Sequence, residues 1–324
     1  MKFYLAPLEG ITGHIYRNAL EKYFPGTDRY FTPFIAPDQN RILRTKERRD
    51  VLPEHNHVPD LVPQILTNDA REFQRTALVL QEMGYQEVNL NLGCPSGTVV
   101  SKKRGSGLLA YPDEVDRLLE QIFENVDLKI SVKTRIGKDD ASKALTLMEI
   151  YRRYPLSELI VHPRTQKDFY RGEPDQEAFG EILSLSYPFP VCYNGNLLTV
   201  RDYRAFCERF PKVTSVMLGR GVIANPGLIR YLKTGEAIQK ESLHLFHDEV
   251  LEGYRNVFGE DKNALFRMKE MWIYMIHLFS DHEKHMKKIR KAQNLLEYRC
   301  AVDALFREQE LLTEGPRRWN LPQR

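Results

Sequence analysis

The sequence predicts an α/β fold: a (β/α)8 barrel of the TIM type followed by a small all-helical domain. Three observations lead there. Eight short apolar, β-rich runs recur through the first two-thirds of the 324 residues, spaced by about 27–30 residues, the length of one strand–helix unit. Helix-like stretches separate most of them. Beyond about Lys233 glycine thins out and no further strand-like run occurs. A doubly wound open sheet is the rival arrangement of the same units. The boundaries drawn are 1–235 for the barrel and 236–324 for the helical domain.

The eight runs are Lys2–Ala6, Tyr30–Ile35, Leu61–Leu66, Glu87–Leu92, Lys129–Thr134, Glu158–Val161, Pro190–Tyr193 and Ser215–Leu218. Among the intervening helices, Asp69–Met83 has Asn68 as its expected N-cap, Asp113–Phe123 follows Pro112, and Thr199–Phe210 is a third. Asn225-Pro226 reads as an N-cap with proline at the first helical position. Four helices are drawn in the tail: Ser242–Phe258, Lys262–Phe279, Asp281–Tyr298 and Ala301–Leu312. The chain from Pro316 to Arg324 reads as a frayed end.

Composition excludes several classes. Hydrophobic residues are 42% and charged residues 28%, which is ordinary for a globular protein and unlike a disordered, collagenous or disulfide-scaffold chain. No apolar run reaches the length of a membrane span, and the opening residues do not read as a secretory signal. The four scattered cysteines, Cys94, Cys192, Cys207 and Cys300, form no CxxC pair. They are expected to be reduced thiols of a cytoplasmic protein. The net charge of +3 is too mild to point to nucleic acid, so a basic footprint must be local. A monomer is expected.

Barrels of this type carry their chemistry at the C-terminal ends of the strands. The runs end in Ala6-Pro7-Leu8-Glu9-Gly10, Gln64 within the third, Asn89-Leu90-Asn91-Leu92-Gly93-Cys94-Pro95, Lys133-Thr134-Arg135, His162-Pro163-Arg164-Thr165, Asn194-Gly195-Asn196 and Gly219-Arg220-Gly221. Polar groups therefore collect at one edge. Glycines 195, 219 and 221 permit amide N–H groups to face an anion, and barrels commonly hold a phosphate on the loops after strands seven and eight. Arg220 would add a charge-assisted contact. The alternative is two ordinary tight turns. Lys133 inside a barrel calls for an anion or an electron-rich ring such as a reduced flavin; a lysine at a misjudged strand end is the alternative. His162 lies at the same rim, although a lone histidine is more often structural.

Cys94 is the sharpest residue. Gly93 and Pro95 fix its direction at a strand end, and an ordinary thiol, with pKa about 8.5, is protonated at neutral pH and can donate a proton as well as attack. Cys192, Cys207 and Cys300 read as structural. The connection from Pro95 to Tyr111 is long enough for a mobile lid, and its Lys102-Lys103-Arg104 cluster suits an anionic substrate. Its Gly105-Ser-Gly107-Leu-Leu-Ala110 is no dinucleotide fingerprint, since no strand leads into it. In the tail, Lys284, Lys287, Lys288 and Lys291 share one helix face without an acid between them, a pattern that suits a phosphate backbone; a solvated face is the alternative. His244/His247 and His282/His285 read as surface residues, and no metal site is expected.

The strings APLEGIT, NLNLGCPSGTVVSKKRGSGLL, SVKTRIG, VHPRTQKDFYRG, CYNGNL and MLGRGVIANP, in this order from Ala6 to Pro226, resemble the tRNA-dihydrouridine synthases. Those are flavin enzymes with an FMN-binding barrel and a helical RNA-binding domain. The resemblance implies that Pro7, Leu8 and Glu9 line the flavin. Gln64, Lys133 and His162 would hold its ring, and Asn194, Gly195, Asn196, Gly219 and Arg220 its phosphate end. Asn91 would contact the uracil. The implied reaction reduces the C5–C6 bond of a uridine in tRNA, with hydride from reduced FMN to C6 and a proton from Cys94 to C5. NADPH would reduce the flavin in a separate half-reaction. Lys102, Lys103, Arg104 and the four-lysine stripe would bind RNA. Three positions depart from the family pattern: Glu9, Asn196, and Glu173-Pro174-Asp175. The rival readings are another FMN barrel, such as a dihydroorotate dehydrogenase, and a non-catalytic RNA-binding protein on this scaffold.

Overall fold

A computed structural model of the chain describes residues 1–313. Its strands are β1 (Lys2–Leu5), β2 (Arg29–Phe31), β3 (Leu61–Val62), β4 (Gln64–Ile65), β5 (Glu87–Leu92), β6 (Lys129–Gly137), β7 (Leu159–Thr165), β8 (Val191–Asn194) and β9 (Ser215–Leu218). All pairings are parallel, in the order β3-β2-β1-β9-β8-β7-β6-β5-β4. β3 and β4 are two halves of the one expected run Leu61–Leu66. Pro63, which has no N–H to give a ladder, separates them. The first half pairs with β2 and the second with β5, while Ile35 bridges to Ile65. The ring thus closes with eight staves, and the open doubly wound sheet is excluded.

Strand alternation sorts the barrel's side chains into two cores. Tyr4, Ala6, Phe31, Val62, Ile160, Cys192 and Met217 form a separate buried cluster inside the ring. A much larger cluster joins the outer strand faces to the surrounding helices and runs on into the C-terminal helices. β6 and β7 run past their expected ends and stay paired as far as Gly137 and Thr165, with a register irregularity after Arg135.

Local signals explain the helix ends and correct some expectations. The cap of the Ala70–Glu82 helix is Asp69, not Asn68. Its side chain accepts from the backbone N–H groups of Arg71 and Glu72, while Asn68 donates to the carbonyl of Lys102. Thr199 caps Val200–Arg209 in a reciprocal box with Asp202. Asn225 ends the Arg220–Ala224 helix instead of opening the next one, which begins after Gly227. The Leu228–Thr234 helix stops at Gly235, φ 77°. The last helices are Lys240–Phe258, Asp261–Met275, Glu283–Lys291 and Leu295–Glu308. The final break therefore falls at Ala292–Asn294, where Asn294 caps the following helix, and not between Tyr298 and Ala301. The end segment from Pro316 lies outside the described residues.

These helices pack directly on the barrel. Phe246 meets Tyr16 and Phe24 edge-on at 5.5 and 5.8 Å, and the Tyr254 hydroxyl donates to the carbonyl of Ile11. Their own core contains a polar network that corrects the reading of His247 as a surface residue. His247 is fully buried, and its ring nitrogens lie 2.9 Å from Asp248 and 2.7 Å from the Tyr298 hydroxyl. The Tyr298 hydroxyl also accepts from Trp272 Nε1 at 2.7 Å. His285 is buried as well. Among the described residues no helix is long and apolar enough to cross a membrane.

Candidate active site

The residues facing into the barrel continue upward from the inner core in steps of two. From Val62, Asn89, Ser131, Ile160, Cys192 and Met217 the same parity leads to Gln64, Asn91, Lys133, His162, Asn194 and Gly219 at the C-terminal rim. Above this layer is a cavity of about 550 Å³. It brings together Pro7, Leu8, Glu9, Gln64, Asn91, Cys94, Lys133, His162 and Arg220, all expected from the sequence. Asn194, Gly195, Asn196 and Gly219 do not line it. Asn196 lies behind Arg220 and accepts from its guanidinium at 2.6 Å. Asn194 donates to the carbonyl of Met217. A side chain at Gly195 would collide with the Tyr193 hydroxyl, and one at Gly219 would press on Ala6 and Leu8.

A chain of amides fixes the cysteine. Asn91 Oδ1 accepts the backbone N–H groups of Gly93 (3.0 Å) and Cys94 (2.9 Å), so its Nδ2 must face Gln64, donating to Oε1 at 2.7 Å. Gln64 Nε2 in turn donates to Asn89 Oδ1 at 2.8 Å, and Asn89 Nδ2 to Ser131 Oγ at 2.9 Å. Each amide's polarity follows from its neighbour's. The carbonyl of Cys94 accepts from the backbone N–H and hydroxyl of Ser106.

The connection after Cys94 is more firmly held than the expected mobile lid. Residues Gly105–Leu109 are buried. Arg104 donates to Glu72 at 2.7 Å and to the carbonyl of Pro37. Lys103 pairs with Glu114 and lies 4.2 Å from the centre of the Tyr111 ring. Of this cluster, Lys102 is exposed and in no ion pair among the described residues.

Charge around the cavity is lopsided. Lys133, Arg135 and Arg220 line it, against one carboxylate, Glu9, which is paired with Lys46. Burial and the Arg135 charge lower the Lys133 ammonium to about 8. Burial and the surrounding cations push His162 well below its ordinary value, so it is neutral. Burial raises the Cys94 thiol, although Arg135 and Lys133 pull the other way; it is protonated at neutral pH.

Several lining residues escaped the sequence reading. Arg135 is the next inward position after Lys133, and Arg164, which does not itself line the cavity, is the next after His162. Arg135 is buried and donates to the carbonyls of Gly93 and Thr165. Tyr170 lies between two guanidinium groups, 5.5 Å from Arg135 and 4.9 Å from Arg220. Tyr274 comes from the appended helices and reaches the cavity only through tertiary packing. A second cavity of about 560 Å³ adjoins the first, sharing Glu9, Pro33, Phe34, Cys94 and Ser96. Arg44, Lys46, Lys102 and Arg104 line it. Lys284, Lys287, Lys288 and Lys291 are all exposed on the Glu283–Lys291 helix, whose buried side is His285 and Ile289. None of the four makes an ion pair among the described residues.

Fold and site together define an enzyme of the (β/α)8 class, with its reactive groups on the C-terminal strand ends. Comparison with known proteins narrows the class. A sequence model of the dihydrouridine synthase family matches residues 4–317, and the chain belongs to that family. It is 30% identical over 251 residues to tRNA-dihydrouridine synthase B of Pseudomonas putida, covering 76% of this chain and 72% of that protein. It is 28% identical over 306 residues to a probable tRNA-dihydrouridine synthase of Rickettsia bellii, covering 92% and 91%. Among solved structures, a 2-naphthoyl-CoA reductase aligns with a TM-score of 0.54 at 8% identity, over 72% of this chain and 50% of that one. That likeness shows the barrel fold alone.

Proposed function

We propose that this chain reduces the C5–C6 double bond of a uridine in tRNA to 5,6-dihydrouridine, using bound FMN and NADPH as the electron source. The observation that carries the reading is Cys94 at the wall of a cavity that Lys133, Arg135 and Arg220 line with Gln64, Asn91 and His162, and whose one carboxylate, Glu9, is paired with Lys46. The donor set fits FMN, because Lys133, Arg135, His162 and Arg220 suit a phosphate and a ring that becomes anionic on reduction. Pro7, Leu8 and Glu9 would flank it. Gln64, Lys133 and His162 would hold the ring, and Arg220, braced from behind by Asn196, the phosphate end. When bound, FMN supplies the hydride for C6 and is recharged by NADPH.

The protein's own groups do the rest. Cys94 gives its proton to C5, and the thiolate left behind is stabilised by the Arg135 and Lys133 charges. Asn91 has one amide N–H beyond its bond to Gln64 and offers it to a uracil carbonyl. The base must leave its stack to reach this depth, at a cost of a few kcal/mol. Phosphate contacts elsewhere offset that cost: Arg44, Lys46 and Lys102 beside the cavity, with Lys103 and Arg104 adjoining, and the four-lysine stripe farther away. The test is to treat tRNA from cells lacking this gene with purified chain, FMN and NADPH, and to map its nucleosides. Dihydrouridine should appear at a defined position. Unchanged nucleosides with a flavin-loaded, NADPH-reducible protein would refute the reading.

A further inference from the structure

His162 has a neighbour that decides what it can do. Arg164 lies two residues further along β7 and is buried, 2% exposed. Its guanidinium is held by carbonyls: Nη2 donates to Gly172 at 2.6 Å and Nε to Arg171 at 3.3 Å. Its Nη1 lies 2.9 Å from Nε2 of His162. A guanidinium has donors and no acceptor, and it stays protonated. Nε2 must therefore present its lone pair. A neutral imidazole then carries its single proton on Nδ1. Nδ1 has no protein partner among the described residues, and His162 lines the cavity.

The surroundings keep the ring neutral. The groups acting on it most strongly are Arg135 and Lys133 from β6, Arg164 from its own strand and Arg220 from the helix after β9. The Tyr170 ring lies 6.1 Å away, from the loop after β7. None of these would stabilise a second proton. We propose that Arg164 is a positioning residue that holds His162 as the neutral Nδ1–H tautomer, so that the nitrogen open to the cavity is a fixed hydrogen-bond donor to the flavin and not a proton acceptor. The inference rests on the proposed flavin site only for the identity of the acceptor. The tautomer belongs to the protein itself. It divides the labour at the rim, with Cys94 moving the proton and His162 moving none.

The test is nitrogen NMR of 13C,15N-labelled full-length protein, without flavin and then with FMN. The His162 ring is assigned in the unmodified chain through its ring-to-backbone correlations, so no variant need fold. The expected spectrum shows a protonated Nδ1 and an unprotonated Nε2 across pH 5–8, with the Nδ1 signal shifting on FMN addition. Arg164→Met should give a mixture of tautomers and weaken FMN binding about tenfold, as for the loss of one buried hydrogen bond. Arg164→Lys, which keeps a cationic donor, should restore the single tautomer. A proton on Nε2 in the unmodified protein, or an imidazolium at pH 7, overturns the proposal. So does an Arg164→Met spectrum identical to that of the parent. If the flavin-free spectrum is as expected and FMN shifts nothing, the tautomer stands and the flavin acceptor is wrong.

Discussion

Lys133 shows how much a single side chain can report. Burial beside Arg135 brings its ammonium down to about 8, so the free protein loses this charge as pH rises through 8. Anion binding needs the charge, and above that pH each binding event must also take up a proton. The affinity for reduced FMN should therefore fall as pH rises above about 8, and Lys133→Met should bind weakly with a flat profile. Fluorescence titration at several pH values checks both. The residue itself was legible in the sequence because a lysine on an inward strand position has no bland use. Arg135 and Arg164 obey the same parity but sat beyond the expected strand ends, since β6 and β7 pair further than their apolar runs extend. Tyr274 carried no local signal at all; its place depends on how the Asp261–Met275 helix packs near Arg220.

At the scale of elements, the loop behind Cys94 is the part where backbone geometry matters most. Gly105 has φ 56°, and a Cβ there would lie 2.8 Å from the Cys94 carbonyl oxygen and 3.0 Å from its Cβ. Gly105→Ala should cost about 1–3 kcal/mol in strain and slow turnover by displacing Cys94. Gly84→Ala is the control: φ is 97°, yet nothing lies within 4 Å, so it should lose stability without losing turnover per folded molecule. Denaturant melts with activity measurements separate the two. Strand positions were legible because period-two apolar runs and glycine-rich ends coincide in each unit. The glycine-rich loop was legible as a loop but not as a packed one. Its anchors, Glu72 for Arg104 and Glu114 for Lys103, come from other elements.

The appended helices have their own polar lock. Asp248 can only accept, so neutral His247 donates from Nδ1, and the Tyr298 hydroxyl donates to Nε2 while accepting from Trp272. Tyr298→Phe would strand two buried groups, at about 1–3 kcal/mol each. Burial holds the folded pKa of His247 below its ordinary value. The unfolded chain therefore gains a proton first as pH falls through about 6.5, and this share of stability is present above that pH and lost below it. Melting at pH 5 and pH 7.5 should show the loss, and Tyr298→Phe should lower the melt at both. Histidine spacing alone gave no sign of this, because Tyr298 and Trp272 are distant in sequence and the helix break falls at Ala292–Asn294, not at Tyr298–Ala301.

For the whole molecule, the proposed function has the barrel supply the chemistry and the helices the grip. Changing Lys284, Lys287, Lys288 and Lys291 together to glutamine should weaken tRNA binding and flatten its salt dependence, with NADPH-dependent flavin reduction unchanged. Equal affinity and salt slope would make the stripe a solvated face. The central claim is that Cys94 gives a proton to a uridine reduced in the rim cavity. It is tested most directly by mixing pre-reduced, flavin-loaded protein anaerobically with unmodified tRNA and following flavin reoxidation in a single turnover. The expected result is rapid reoxidation in the parent and a rate about 10²–10⁴-fold lower in Cys94→Ala, with flavin binding retained. Equal rates in the two proteins, or a parent whose reduced flavin is untouched by tRNA, would contradict it.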